Sequence, residues 1–271
     1  LFTDSQGNVW IGTSDGLSKW DGQSITNYTV ANGKLPNNYV ISIFEDSSNF
    51  ILIGTSGGLT VTDGTNWVDY PLFQGVEVTS ITESSELDLV VGTGGYGVIQ
   101  MKPTGGYIQY FDYTCDLCNY IQAIYLEDDD KAWIGSQHGL TSYEDGDIQS
   151  YDQFNQTSVT SITPDSWGNL WFGLHDSNMM IRYRDSTFEP VPLVSFVYVN
   201  WNRAMTEDKY GRLWVSAGWG GLLYYDGTVT RQVLDLFKDT FISALTFDKE
   251  GELWVGSAGK GVAHFRPVPN N

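Results

Sequence analysis

The sequence predicts an all-β fold, a seven-bladed β-propeller built from four-stranded antiparallel blades. A short motif returns seven times along the 271 residues, at intervals of 38 to 43 residues. Each copy divides into short alternating segments bounded by turn residues, as strands do. No segment shows helical periodicity. Four short strands in every 40 or so residues are typical of a propeller blade, whereas the alternative, a right-handed β-helix, has shorter repeats.

The seven copies align on a small residue that follows an apolar pair. The aligned segments are "VWIG" ending at Gly12, "ILIG" at Gly54, "LVVG" at Gly92, "AWIG" at Gly135, "LWFG" at Gly173, "LWVS" at Ser216 and "LWVG" at Gly256. Each copy is predicted to contain a first strand with a small residue before an apolar one, such as Ser42 and Ile43, and then an acidic turn. The "LWVG"-type strand, a glycine loop and two further strands, often separated by Asp-Gly, complete the unit.

The two ends of the chain are incomplete copies. Residues 1–4 align with residues 43–46, so the chain begins inside a first strand, and "GVAHF" (261–265) is a third strand with little room for a fourth. We therefore expect the last blade to lack its outer strand within this chain. We also expect residues 1–271 to form a single propeller domain that is a fragment of a longer polypeptide, with natural residues upstream of Leu1.

The charge of the chain restricts its partners. Lys and Arg number 14 against 33 Asp and Glu, which gives a formal net charge of −19 at pH 7. Such a surface repels nucleic acid and anionic lipid, so no nucleic-acid partner is expected. No apolar run approaches the roughly 20 residues that span a bilayer, so this segment is not expected to insert into a membrane. Neutral sugars, peptides and other small molecules remain as ligand classes, and no cofactor is indicated.

The repeat resembles a known family, the two-component regulator propeller repeat, whose pattern runs D-x-x-G-x-hydrophobic-W-hydrophobic-G-T-x-x-G-L. "DSQGNVWIGTSDGL" (4–17) matches it almost throughout, and "DSWGNLWFG" (165–173), "DKYGRLWVS" (208–216) and "DKEGELWVG" (248–256) match its first half. The resemblance implies an extracytoplasmic bacterial location, periplasmic, secreted or at the cell surface. It also implies a sensor role in which other domains of the same polypeptide are partners.

Glycines in the loops between second and third strands are predicted to set backbone angles. They are Gly16, Gly58, Gly97, Gly139, Gly221 and Gly261, and Asn178 takes the place of glycine in the fifth copy. Asn is the residue that best replaces glycine in the left-handed region. A phosphate-binding loop would need a helix after it, and none follows.

Aromatic residues near these loops are candidate ligand contacts. Tyr96 and Trp219 stand between glycines, where an exposed ring can stack on a sugar or anchor a peptide, or can instead pack on an inter-blade loop. Tyr39 and Tyr120 precede first strands and are expected to border the same face. The irregular segment 192–203 adds Tyr198, Trp201 and Arg203, of which Arg203 is either a buried ion-pair partner or a clamp for a ligand carboxylate.

Two histidines fall in equivalent loops of the fourth and fifth copies. His138 and His175, with Asp176, are candidate polar ligand contacts. Acid–base chemistry or metal binding is the alternative, but two histidines and one carboxylate without a fixed local spacing do not define such a site. Neither a catalytic residue nor a metal site is therefore predicted here. Cys115 and Cys118 form a C-x-x-C in an inter-blade loop, for which a disulfide staple and two free thiols are the alternatives.

Five tryptophans recur at one repeat position and are predicted to form inter-blade core. They are Trp10, Trp133, Trp171, Trp214 and Trp254, with Leu52 and Val90 in the other two copies. The function that the sequence favours is therefore a non-catalytic, extracytoplasmic sensor propeller that binds a carbohydrate or peptide on its loop face. The alternatives are a lyase of the polysaccharide or streptogramin type, which needs a base and a cationic group, and a protein–protein scaffold.

Overall fold

A computed structural model describes residues 1–110, 112, 114–127, 131–144, 146–193, 204–233 and 240–266. It confirms the all-β, seven-bladed propeller: the strands form seven antiparallel sheets, and the helices of the described residues are three short 3₁₀ turns, Pro71–Phe73, Asp116–Asn119 and Asp152–Phe154. In this part of the chain no helix has the length and apolar character that crossing a membrane requires. The chain comprises two compact units, residues 2–158 and residues 159–271 together with Leu1.

Residues 2–158 contain blades 1 to 4, each with four strands in sequence order. Blade 1 consists of β1 (Phe2–Thr3), β2 (Val9–Thr13), β3 (Gly16–Trp20) and β4 (Ile25–Tyr28). Blade 2 consists of β5 (Val40–Glu45), β6 (Ile51–Thr55), β7 (Gly58–Thr62) and β8 (Trp67–Asp69). Blade 3 consists of β9 (Val78–Glu83), β10 (Leu89–Thr93), β11 (Val98–Met101) and β12 (Tyr107–Tyr110). Blade 4 consists of β13 (Ile121–Leu126), β14 (Lys131–Ser136), β15 (Gly139–Glu144) and β16 (Asp147–Ser150).

Residues 159–271 contain blades 5 to 7. Blade 5 consists of β17 (Val159–Pro164), β18 (Leu170–Leu174), β19 (Met179–Arg184) and β20 (Thr187–Pro192). Blade 6 consists of β21 (Met205–Glu207), β22 (Leu213–Ser216), β23 (Leu222–Tyr225) and β24 (Thr230–Gln232). Blade 7 consists of β25 (Ile242–Phe247), β26 (Leu253–Ser257) and β27 (Gly261–Phe265), and within the described residues it has the three strands that the sequence predicts.

In blades 2 and 3 the glycine near the end of the second strand is required by the close approach of the following blade. A Cβ on Gly54 would lie 2.7 Å from the Val78 carbonyl oxygen in blade 3, and one on Gly92 would lie 2.6 Å from Cγ2 of Ile121 in blade 4. Both distances are shorter than van der Waals contact. The motif therefore keeps glycine at this point because the next first strand packs directly on its backbone.

The predicted inter-blade core is confirmed. Trp10 of blade 1 lies in one cluster with Val40 and Ile53 of blade 2, and Trp171 of blade 5 lies with Met205 and Leu213 of blade 6. Four of the five repeated tryptophans are buried, while Trp254 is half-buried. Within each compact unit, neighbouring blades thus cover one another's apolar faces, as repeat architectures require.

A hydrogen bond from the indole N–H to an acidic side chain ties each of these tryptophans to the turn before it. The Trp10 indole donates to Asp4 Oδ2 at 2.8 Å, while the backbone N–H of Asn8 donates to Asp4 Oδ1 at 2.7 Å. The acceptors for the other four tryptophans are Glu127, Asp165, Asp208 and Asp248. One carboxylate therefore fixes both the turn backbone and the orientation of the core indole.

Glutamates at the ends of first strands link some turns to the next blade. Both the backbone N–H and the hydroxyl of Ser5 donate to Glu45, at 2.7 and 2.8 Å, and Ser166 donates twice to Glu207 in the same way. The backbone N–H of Ser47 donates to Glu83 at 2.7 Å. Successive blades are consequently joined by charge-assisted hydrogen bonds in addition to apolar packing.

The indole bond predicts a difference between two equivalent aspartates of residues 2–158. We expect Asp4→Asn to lower the free energy of unfolding by about 2 kcal/mol more than Asp46→Asn, because the new amide would face the Trp10 indole and the Asn8 amide, which both donate to Asp4 Oδ2. Asp46 is the matched control, since Leu52 stands where Trp10 does and offers no indole N–H. Urea denaturation followed by fluorescence and circular dichroism measures both variants, and equal losses of stability would contradict the assigned role of the indole bond.

Candidate functional site

Each blade has two distinct ends. The turn end carries the acidic turn between the first and second strands, such as residues 4–8. The loop end carries the loop between the second and third strands, such as residues 94–97, together with the segment that enters the first strand. Backbone hydrogen bonds hold the two parts of the loop end together, from Ser56 N–H to the Tyr39 carbonyl at 3.0 Å and from Gln137 N–H to the Tyr120 carbonyl at 3.0 Å.

Aromatic side chains at the loop ends are open to solvent. Tyr39, Tyr96 and Tyr120 are 51, 52 and 40% exposed, and Trp219 is 59% exposed. Exposed rings of this size offer flat apolar surface together with a polar edge, which suits them for contact with a ligand. All four are positions that the sequence singles out.

The structure brings Tyr96 and Tyr120 together at neighbouring blades 3 and 4. The N–H groups of Gly95 and Gly97 both donate to the carbonyl of Asn119, each at 3.0 Å. The Tyr120 ring covers Gly95 closely enough that a Cβ there would lie 3.3 Å from Cζ. The two tyrosines therefore belong to one surface. Its geometry depends on Asn119, which directly precedes Tyr120 and accepts the hydrogen bonds from the loop that carries Tyr96.

Asn119 anchors the segment that enters blade 4. Its side chain is 2% exposed; Nδ2 donates to the carbonyls of Asp112 and Cys115, and Oδ1 accepts the N–H of Asp112. A disulfide joins Cys115 to Cys118 across the short 3₁₀ turn in the same segment. The hydroxyl and N–H of Thr114 donate to Asp112 and lower the pKa of that carboxyl.

A cleft of about 510 Å³ lies at the loop end of blade 4. The N–H of His138 donates to Ser136 Oγ at 3.1 Å, which fixes the loop backbone on one side of the cleft. On the other side the Tyr151 hydroxyl forms a hydrogen bond with Ser142 at 3.0 Å. The lining includes Cys115, Asp116, Cys118, His138, Tyr151 and Asp152. Two carboxylates and one imidazole give the cleft its charge, which favours a neutral or cationic ligand over an anion.

In residues 159–271 the loop end of blade 7 approaches that of blade 6. Trp219 meets the ring of Phe241 edge to face, with centroids 5.9 Å apart, beside a bridge between Gly218 and Ile242. Sequence reasoning missed Phe241. The signal was present in the repeat, because Phe241 precedes the small residue of its first strand by three positions, as Tyr39 and Tyr120 do.

The glycine loops confirm one prediction and correct another. All six glycines have positive φ. In blade 5, however, the left-handed residue is Asp176, with φ 52°, and the expectation for Asn178 is wrong. His175 Nδ1 lies 2.9 Å from Asp176 Oδ2, and the left-handed residue stands two positions earlier than the alignment suggests.

The remaining candidate residues divide between the two units or fall outside the described residues. His138 belongs to residues 2–158, and His175 with Asp176 belongs to residues 159–271. Tyr198, Trp201 and Arg203 lie outside the residues that the structure describes.

The fold has many structural relatives at low sequence identity. The extracellular domains of two hybrid two-component systems from B. thetaiotaomicron align with TM-scores of 0.80 and 0.81 at 20 and 18% identity, covering 99 and 100% of this chain. The chain spans only 39 and 38% of those two proteins. A catalytically inactive virginiamycin B lyase from Staphylococcus aureus, solved with quinupristin, aligns with a TM-score of 0.82 at 17% identity, covering 98% of this chain and 94% of the lyase.

Sequence comparison identifies the repeat itself. No curated protein matches the chain. The model of the family described as "Two component regulator propeller" matches residues 34–57, 153–176 and 236–259. The three matches include the first strand, the acidic turn and the second strand of blades 2, 5 and 7. These are the elements that carry the motif found in the sequence. Three segments of this chain are therefore similar to the two-component regulator propeller repeat.

Proposed function

We propose that this propeller is an extracytoplasmic sensor module that binds a carbohydrate or a peptide at its loop ends, without catalysing a reaction. The observation that carries the proposal is the exposure of four aromatic side chains, Tyr39, Tyr96, Tyr120 and Trp219. Backbone hydrogen bonds fix the loop ends on which they stand, while the residue type at these positions varies between the repeats. Rigid loops that present exposed aromatic rings are characteristic of binding surfaces.

The best-defined part of the surface is at blades 3 and 4. Tyr96 and Tyr120 provide two rings supported by the Gly95 and Gly97 hydrogen bonds to Asn119. The cleft beside them adds Asp116 and Asp152, whose carboxylates accept hydrogen bonds from sugar hydroxyls or from the amino groups of a peptide. With a formal net charge of −19 on the chain, the ligand we propose is neutral or cationic.

The proposed sensor role is supported by the kind of protein in which similar propellers occur. Similar propellers occur in the extracellular domains of hybrid two-component systems, of which this chain matches less than two-fifths. We propose that residues 1–271 act as one domain of a longer bacterial polypeptide whose other domains transmit the signal. The disulfide between Cys115 and Cys118 suits an oxidising compartment such as the periplasm or the cell surface.

Binding is tested with the purified chain on a glycan array and on a library of cationic peptides. We expect a ligand from one of these sets to bind, and Tyr96→Ala and Tyr120→Ala each to weaken its binding by about 10-fold or more through loss of ring contacts. Tyr107→Ala is the matched control, because Tyr107 is 54% exposed but lies on the outer strand of blade 3. Isothermal titration calorimetry gives the affinities.

Two outcomes contradict the proposal. Failure of both probe sets to bind, or equal affinity of the wild type and both loop-end variants, removes the loop ends as the binding surface. Mass spectrometry of the bound ligand after long incubation examines catalysis separately. Conversion to an unsaturated product would place the protein among lyases instead of binding modules.

Asn119 is expected to act as a positioning residue for the same surface. Asn119→Ala removes three hydrogen bonds of a buried side chain, so we expect faster amide exchange at residues 114–118 and at Gly95 and Gly97. Ligand affinity should fall with little change in far-ultraviolet circular dichroism. Asn155→Ala, an exposed residue beside the same cleft, serves as the control and should leave exchange at Gly95 and Gly97 unchanged. Unaltered exchange in Asn119→Ala would contradict the anchoring role.

A further inference from the structure

The turn end of blade 7 differs chemically from the other turn ends. His264 faces Trp254 across strands β26 and β27 and stacks on it, with ring centroids 4.4 Å apart and an interplanar angle of 24°. Its Nε2 atom lies 2.5 Å from Glu252 Oε2 and 3.3 Å from Asp248 Oδ2. One imidazole nitrogen and two carboxylate oxygens thus converge on one point, and all three atoms lie within 4.8 Å of one another.

We propose that Asp248, Glu252 and His264 bind a divalent transition-metal ion, with Zn²⁺ the best match. One nitrogen and two oxygen ligands form a donor set that Zn²⁺ accepts, and neighbouring ligands of a tetrahedral zinc lie roughly 3.3 Å apart. The separation of His264 Nε2 from Asp248 Oδ2 already has this value. A rotation of the Glu252 side chain widens the shorter separation.

The groups around the cluster hold the three ligands in place. Trp254 Nε1 donates to Asp248 Oδ2 at 2.9 Å, and the backbone N–H groups of Glu250 and Glu252 donate to Asp248 Oδ1. Arg266 Nη2 donates to Glu252 Oε1 at 2.6 Å and leaves Oε2 directed at His264. Hydrogen bonds of this kind orient ligands before the metal arrives and tune its affinity.

Comparison with the other blades points independently to a cation at this position. In blades 1 and 5 the residue facing the tryptophan is a permanent cation, with Lys19 Nζ 5.1 Å from the Trp10 ring and Arg182 Cζ 5.9 Å from the Trp171 ring. The residue four places after the turn acid is Asn8, Lys131, Asn169 or Arg212 in blades 1, 4, 5 and 6.

Blade 7 instead combines an additional carboxylate, Glu252, with an imidazole in place of the permanent cation. Arg266 compensates Glu252 from the outer side. A divalent ion between Asp248 Oδ2, Glu252 Oε2 and His264 Nε2 would bring positive charge to both carboxylates. The side chain of Asp248 is 8% exposed and that of His264 is 39% exposed, so the cluster opens on one side to solvent, from which an ion enters and water completes its coordination.

The test uses the purified chain after removal of metals with a chelator. Titration with ZnCl₂ by calorimetry should show one equivalent bound, and CoCl₂ should produce the visible absorption of a four-coordinate site. Binding should weaken as the pH is lowered, because a ligating imidazole must be unprotonated. His264→Ala and Glu252→Gln should each reduce the affinity by more than about 10-fold, since even residues outside the coordination shell contribute about 10- to 100-fold.

Glu250→Gln is the matched control, an exposed carboxylate on the same turn that is not part of the cluster. It should bind Zn²⁺ as the wild type does. Glu252→Gln preserves side-chain shape, so it keeps the test valid if His264→Ala fails to fold. Absence of Zn²⁺ and Co²⁺ binding by the wild type, or unchanged affinity in both ligand variants, would overturn the proposal and leave a proton-bridged ion pair at this turn.

Discussion

The hydrogen bond between a turn carboxylate and a buried indole is the constraint on which most of the structure depends. In blade 1 it joins three things that must coincide: the backbone of turn 4–8, the orientation of Trp10, and the apolar contact that Trp10 makes with blade 2. Burying the carboxylate or the indole N–H without its partner would cost more folding free energy than the intact hydrogen bond contributes to stability. A blade with this pair therefore folds its turn and its core face together.

The sequence predicts the strands and the number of blades because the information lies within each unit. Turn residues, alternation and the W-x-G pattern are separated by only a few positions, and W-x-G itself recurs in four of the seven copies. Links between blades are different. Ser5 and Glu45 are 40 residues apart, and Ser5 occupies a variable position of the motif, so their hydrogen bonds could not be predicted from the sequence. The tryptophans were correctly placed in the core, but their polar role became visible only with the turn geometry.

At the loop ends, the sequence singled out Tyr96 and Trp219 because they stand between glycines, and Tyr120 because it precedes a first strand. It could not locate Asn119, whose importance arises from three hydrogen bonds within a nonrepeating segment and two more that its carbonyl accepts from blade 3. The error at Asn178 has a related cause. Alignment by residue type assumes that loops of equal length turn at equal positions, whereas a left-handed Asp176 beside His175 turns the chain earlier.

The glutamates that accept hydrogen bonds from the turn of the preceding blade have a mechanical consequence. Glu45 and Glu83 join blades 1, 2 and 3 at their turn ends through short charge-assisted hydrogen bonds, while exposed aromatic rings occupy the loop ends. At the turn ends these three blades are therefore tied to one another by side-chain hydrogen bonds, whereas at the loop ends a fixed backbone carries exposed side chains. A probe attached to a loop end would respond to small rearrangements of side chains, whereas one at a turn end would stay silent until a blade separates. The same asymmetry makes the loop ends the natural place to graft foreign recognition segments.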